Sequence, residues 1–145
     1  MKIKRLDTSL EENIYLLQEM QLKCFPSDVV CDTTQGAWWV AYDSDEPIGF
    51  GGVVPDLRWT DCGYLARCGV YKGYRGQGLQ KRFIRVREAY ARKMGWKWLI
   101  TNTYHNHASA NSLISCGFKM YTPANPWSFK NACYWKCKVN QPSNP

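Results

Sequence analysis

The stretch Val70-Tyr71-Lys72-Gly73-Tyr74-Arg75-Gly76-Gln77-Gly78-Leu79 constrains this chain more than any other part of it. Before it lies an apolar run, Tyr64 to Tyr71, which reads as a buried strand. After it the hydrophobic period changes, and Leu79, Phe83, Val86, Tyr90 and Met94 fall on one helical face and are expected in the core. A strand therefore feeds a helix through a loop with glycines at 73, 76 and 78. Glycine lets the backbone turn with positive φ and approach a ligand closely. The first N–H groups of a helix have no partner inside it and carry partial positive charge, so such a place suits phosphate. Arg75, Lys81 and Arg82 add full charges around it.

The rest of the chain reads as strands and helices around this centre. Lys2 to Leu6 alternates as a first strand, and Ser9 is the expected N-cap of a helix with Glu11 and Glu12 in its first turn. Ile14, Leu17 and Leu22 mark that helix, which ends before Pro26. Residues 27–35 are polar and irregular. Ala37 to Tyr42 and Ile48 to Val54 form a hairpin across an acidic turn. A helix over 79–94 ends at Gly95, strand 96–103 follows, and a short helix over 107–115 closes at Cys116-Gly117. Strands over 118–121 and 131–139 complete a domain spanning 1–139, with 140–145 as a frayed tail.

The expected class is α/β: a mixed, largely antiparallel sheet of six to seven strands with a central parallel pair, flanked by about four helices. Strand 62–71, helix 79–94 and strand 96–103 make a right-handed βαβ unit. Ligands in such sheets bind at the carboxyl ends of strands.

Composition excludes several classes. Hydrophobic residues make up 45%, too many for a disordered chain. No apolar run reaches the roughly 20 residues of a membrane span, so no membrane association is expected. Met1-Lys2-Ile3-Lys4-Arg5 has no apolar stretch behind it, so no signal peptide is expected and the cytoplasm is the expected compartment. Seven cysteines, an odd number without a CxxC pair, read as reduced core residues, and no metal is expected. The net charge of +7 concentrates between Arg67 and Lys97, which favours a local anionic ligand over a general coat.

Two stretches together resemble the GNAT superfamily of N-acetyltransferases. Tyr74-Arg75-Gly76-Gln77-Gly78-Leu79 resembles its acetyl-CoA pyrophosphate loop. Asn106-His107-Ala108-Ser109, running on to Cys116-Gly117-Phe118, resembles its second motif. The resemblance implies that backbone amides from Gln77 through Gly78 and Leu79 to Gln80 hold the pyrophosphate, with Gly76 in the turn and Arg75 beside them. It implies that Cys68 to Val70 run along the pantetheine arm, with the Val70 N–H toward the acetyl carbonyl. Asn106 would bond the pantetheine, and Ser109 would sit near it. Acetyl-CoA would be the co-substrate. The acceptor would be an amine on a small molecule, a protein N-terminus or a lysine, and a second copy of the chain is an admissible partner. The family's loop usually ends in Gly or Ala where this chain has Gln80, and many members have a Tyr where this chain has Leu113.

A neutral amine is the nucleophile, so a base or a water relay is expected. Tyr64 and His105 are the candidates. Trp59 and Trp127, in expected loops, are candidates for acceptor contacts. Two other classes compete. One is a CoA-binding relative without catalysis. The other, less favoured, is a nucleic-acid-binding module using Arg82, Arg85, Arg87, Arg92 and Lys93, residues that equally read as the solvated face of one helix.

Overall fold

The computed structural model describes residues 1–140. Of the expected tail at 140–145, residues 141–145 lie outside the described residues. The elements run β1 (Lys2–Leu6), α1 (Glu11–Cys24), β2 (Ala37–Asp43), β3 (Glu46–Pro55), β4 (Cys62–Val70), a 3-10 turn (Lys72–Tyr74), α2 (Leu79–Met94), β5 (Trp98–Thr103), α3 (His107–Ser115), β6 (Lys119–Tyr121) and β7 (Cys133–Lys138). The sheet is seven-stranded in the order β1-β2-β3-β4-β5-β7-β6. Its parallel pair is β4 with β5, in a ladder of Cys62↔Trp98, Gly63↔Leu99 and Tyr64↔Ile100 at the amino ends of both strands. The pairs β1–β2, β2–β3, β5–β7 and β6–β7 are antiparallel.

The helices number three among the described residues, against about four expected. Residues 25–36 stay irregular because side chains hold them as they are. Gln21 of α1, fully buried, accepts from the Cys31 N–H at 3.0 Å and donates to the Cys31 carbonyl at 3.4 Å. Asp32 closes its own turn on the Thr34 N–H at 2.9 Å. Ser9 is not the N-cap of α1. Leu10 holds that position, because Asp7 captures both the Ser9 amide at 3.0 Å and its hydroxyl at 2.6 Å.

The chain divides into two compact units, and β4 is shared between them: Met1–Val54 with Ala66–Phe83, and Pro55–Leu65 with Ile84–Pro145. The first unit is built on Leu17, Met20, Trp38, Val40 and Phe50. Burying each such side chain is worth about 1.5–3 kcal/mol. Room for them is made by glycine. A Cβ on Gly52 would meet the Trp38 ring at 2.4 Å, and one on Gly69 would meet Cys24 and Phe50 at 2.8 Å. In the second unit, Leu99, Ile100, Leu113, Phe118 and Trp135 are buried, and a Cβ on Gly63 would meet the Trp96 ring at 2.4 Å.

Helix α2 covers the residues expected of it, but its buried stripe drifts. Leu79 and Phe83 are buried, and the stripe then continues through Ile84, Arg87 and Ala91, while Met94 is exposed. The expectation of a core Met94 and a solvated Arg87 is thus corrected. The helical period of 3.6 residues keeps 90 and 94 near the face of 79 and 83, so the drift comes from packing, which turns inward the flank that carries 84, 87 and 91. No helix of the described residues is long and apolar enough to cross a membrane.

Candidate active site

The first unit holds the glycine loop. After Val70 the chain leaves the sheet with the Tyr71 N–H on the Ile48 carbonyl at 2.8 Å, and the Tyr74 N–H on the Tyr71 carbonyl at 2.9 Å closes the 3-10 turn. Gly76 and Gly78 then take φ of +78° and +79°, a region that a residue with a Cβ enters at a cost of about 1–2 kcal/mol. The first α2 bond joins the Arg82 N–H to the Gly78 carbonyl at 3.1 Å. Among the described residues, the N–H groups of Gly76, Gln77, Gly78 and Leu79 donate to no backbone carbonyl. Unused amides thus collect where the helix dipole is positive, and the first turn of α2 contains no acid. A Cβ placed on Gly73, Gly76 or Gly78 would meet nothing within 4 Å, so the loop faces open space. Arg75 is anchored in the loop, its Nε donating to the Val70 carbonyl at 3.0 Å, which pins the guanidinium beside the strand end. Cys68 is half-buried and Val70 buried. Gln80 is half-buried in the first turn of α2.

The second unit holds Tyr64, His105, Asn106 and Ser109. The Tyr64 hydroxyl donates to Asn102 Oδ1 at 2.7 Å, and Asn102 Nδ2 donates to Ser128 Oγ at 2.8 Å. The Ser128 N–H in turn donates to the Tyr134 hydroxyl at 2.9 Å. Trp127 packs edge-on against both rings, 5.7 Å from Tyr64 and 4.8 Å from Tyr134. The Arg58 guanidinium lies 3.9 Å over Trp127 and is held at 2.6 Å by the buried carboxylate of Asp56. Trp59 is exposed and lines a cavity of about 380 Å³ with Cys62, Trp98, Ile100, Tyr121 and Lys136. Burial, and then the charge of Asp56, push the Cys62 thiol up to about 12, so it is no nucleophile near neutral pH.

The Asn106–Ser109 spacing has a local cause. Asn106 is the N-cap of α3, its Oδ1 accepting from the Ser109 N–H at 3.0 Å. His105 sits just before it with φ of +49°, exposed, its ring 4.2 Å from that of Tyr104. No hydrogen bond links His105 to Tyr64 or Asn106 among the described residues. Leu113, where many members of the resembled family have Tyr, is buried. Sequence reasoning missed Asn102, Ser128 and Tyr134. Asn102, a polar residue in the buried strand β5, was the available signal.

A strand-to-helix loop of unengaged amides on a mixed sheet of this order defines an α/β protein whose helix start is suited to an anion. The sequence matches the Acetyltransferase (GNAT) family over residues 5–118, and the chain belongs to that family. A search of curated protein sequences returns no match. The fold is similar to that of the aminoglycoside 6'-N-acetyltransferase from Enterococcus faecium, at 15% identity and a TM-score of 0.77 over 99% of this chain and 100% of that one. It is also similar to the ribosomal-protein-S18-alanine N-acetyltransferase from Escherichia coli, at 15% identity and 0.71 over 98% and 96%. A third similar structure is a Bacillus subtilis acetyltransferase in complex with CoA, at 15% identity and 0.74 over 96% and 99%.

Proposed function

We propose that this protein is an N-acetyltransferase that moves the acetyl group of acetyl-CoA to an amine by direct attack. The observation that carries the reading is the set of unengaged amides from Gly76 to Leu79, facing open space beside an acid-free helix start. A diphosphate needs donors with no other duty, and these residues fit one. Solved relatives that bind CoA, and the family itself, support the same co-substrate.

The roles follow from the chain's own residues. Gln77 to Gln80 hold the pyrophosphate by their backbone, and Arg75, anchored on Val70, adds charge. Cys68 to Val70 and Asn106 bind the pantetheine arm, with Ser109 serving Asn106 through the α3 cap. The Val70 N–H steadies the thioester oxygen as it gains charge. The amine attacks uncharged, its new C–N bond forms as C–S breaks, and the thiolate departs. A thiol pKa of roughly 8.5 makes that departure feasible without an acid, which suits a chain whose Leu113 is buried core. With its proton committed to Asn102, Tyr64 acts as an acceptor that orients the amine or a water taking the amine's proton. His105 relays that proton outward. Trp59 and Trp127 contact the acceptor.

The buried Leu113 also favours one second reading, a CoA-binding relative with weak catalysis. Arg87, buried in α2, is lost to any phosphate-binding stripe and weakens the nucleic-acid reading.

The test measures CoA thiol release with purified protein, acetyl-CoA and a panel of amines. Release with at least one amine supports the enzyme; tight CoA binding without release supports the second reading. Arg75→Glu is expected to weaken CoA binding about tenfold or more, because repulsion replaces a charge-assisted contact. Unchanged affinity would remove the pyrophosphate from this loop.

A further inference from the structure

The loop before β7 meets β4 and β5 through three consecutive residues, all within the second unit. Trp127 packs on Tyr64 at 5.7 Å, the Ser128 hydroxyl accepts from Asn102 at 2.8 Å, and the Phe129 ring lies 5.8 Å from that of Tyr104. The Trp127 contact is covered, because the Arg58 guanidinium lies 3.9 Å over the indole and Tyr134 packs on it at 4.8 Å. The Phe129 contact is open: Phe129 is 70% exposed and Tyr104 49%. His105 extends this patch, its ring 4.2 Å from Tyr104 and its φ of +49° one that side chains rarely adopt. Apolar residues exposed singly need no explanation, but contiguous exposed rings mark a binding surface.

Position and charge narrow the ligand. Asn102 accepts the Tyr64 hydroxyl at 2.7 Å, and Tyr104 comes two residues later, just past the carboxyl end of β5. Two residues of strand are about 6.6 Å, the reach of a short alkyl chain from a ring on the patch to an amine at Tyr64. No carboxylate serves the patch. The second unit has three acids, Asp56, Asp61 and Glu88. Asp56 is buried and spent on Arg58 at 2.6 Å, and Glu88 pairs with Arg85 on α2. Asp61 lies at the opposite end of β5, where its carbonyl accepts the Lys97 N–H at 2.7 Å and the Trp98 N–H at 3.2 Å. Within this unit a polycation finds no counter-charge at the patch and meets Lys130, next to Phe129, instead. A planar apolar body meets three rings.

We propose that Phe129, Tyr104 and His105 form the docking surface for the acceptor, and that the acceptor is an arylalkylamine whose ring lies on this patch while its single amine reaches Tyr64. The inference rests on the acetyl-transfer reading, in which the amide bond forms as C–S breaks and the CoA thiol and the amine's proton are released. Two measurements keep the two apart. Calorimetric titration in the presence of CoA, with 2-phenylethylamine, n-propylamine and kanamycin as probes, reads docking; thiol release from acetyl-CoA with the same amines reads transfer. 2-Phenylethylamine is expected to bind about tenfold or more tighter than n-propylamine, which lacks the ring, and to be the preferred acceptor. Phe129→Ala is expected to raise both its Kd and its KM about tenfold, with kcat and the KM for acetyl-CoA within about twofold of wild type. Phe129→Tyr keeps the ring and the affinity. Phe129 is exposed, and a thermal melt checks both variants for folding. Binding of 2-phenylethylamine with no thiol release from any amine overturns the acetyl-transfer reading while the docking surface stands. Transfer that prefers kanamycin or n-propylamine overturns the arylalkylamine and leaves the enzyme. A wild type that does not bind 2-phenylethylamine, or a Phe129→Ala protein that binds it as tightly as wild type, overturns the proposal.

Discussion

Glycine serves opposite purposes in two regions of this molecule. In the strands it is surrounded: at Gly52 and Gly63 a single added carbon would lie 2.4 Å from the rings of Trp38 and Trp96. In the loop after β4 it is surrounded by nothing, for no atom lies within 4 Å of a Cβ on Gly73, Gly76 or Gly78. The strand glycines are explained by neighbours within the protein. Of the loop glycines, Gly76 and Gly78 take the positive φ that glycine allows, and the empty space beside all three suits the diphosphate contact of the proposed function. The comparison separates glycines that make room for packing from glycines that leave the backbone open.

The largest effect should come from Gly63→Ala. The Trp96 ring must move, and overpacking of this kind costs about 1–3 kcal/mol. Urea denaturation should show that loss, while the folded fraction binds CoA with unaltered affinity. A stable Gly63→Ala protein that has lost CoA would break the comparison. Gly78→Ala should show the reverse balance: a stability loss of about 1 kcal/mol from its φ of +79°, and a CoA affinity about tenfold weaker. Tyr64→Phe comes next, leaving Asn102 Oδ1 without its donor for about 1 kcal/mol of stability. Acetyl transfer should fall while the CoA dissociation constant holds, and stopped-flow binding beside steady-state rates would show the split. Gly73→Ala should be the mildest, within about 0.5 kcal/mol of wild type in a thermal melt, since its φ is ordinary and its surroundings empty. Any CoA defect in that variant would then report contact with the ligand itself.

What was legible in the sequence was local. Helices α2 and α3 occupy the residues expected, 79–94 and 107–115, because Gly78, Gly95, Asn106 and Gly117 punctuate them in their own neighbourhood. The glycine loop was readable for the same reason, since an amide left without a carbonyl is a property of a few consecutive residues. Long-range choices were not. Nothing near Ser9 says that Asp7 will claim its hydroxyl, and nothing near Gln21 says that it will be buried to hold Cys31. The Tyr64–Asn102 hydrogen bond joins residues 38 positions apart, and only the parallel register of β4 with β5 brings them together. Arg87 was misread as solvated because periodicity locates a face but not the burial of a charge on it.

The start of α3 bears on what the proposed cofactor contact asks of position 106. Asn106 Oδ1 is spent on the Ser109 N–H, so the cap consumes the acceptor half of the side chain and leaves its NH2 to face elsewhere. An aspartate would begin the helix as well, yet it would present a second oxygen where the asparagine presents two hydrogens. Helix initiation alone is therefore indifferent between the two residues. Under the proposed function those two hydrogens would meet an acceptor, as a pantetheine carbonyl is, and position 106 would need the amide.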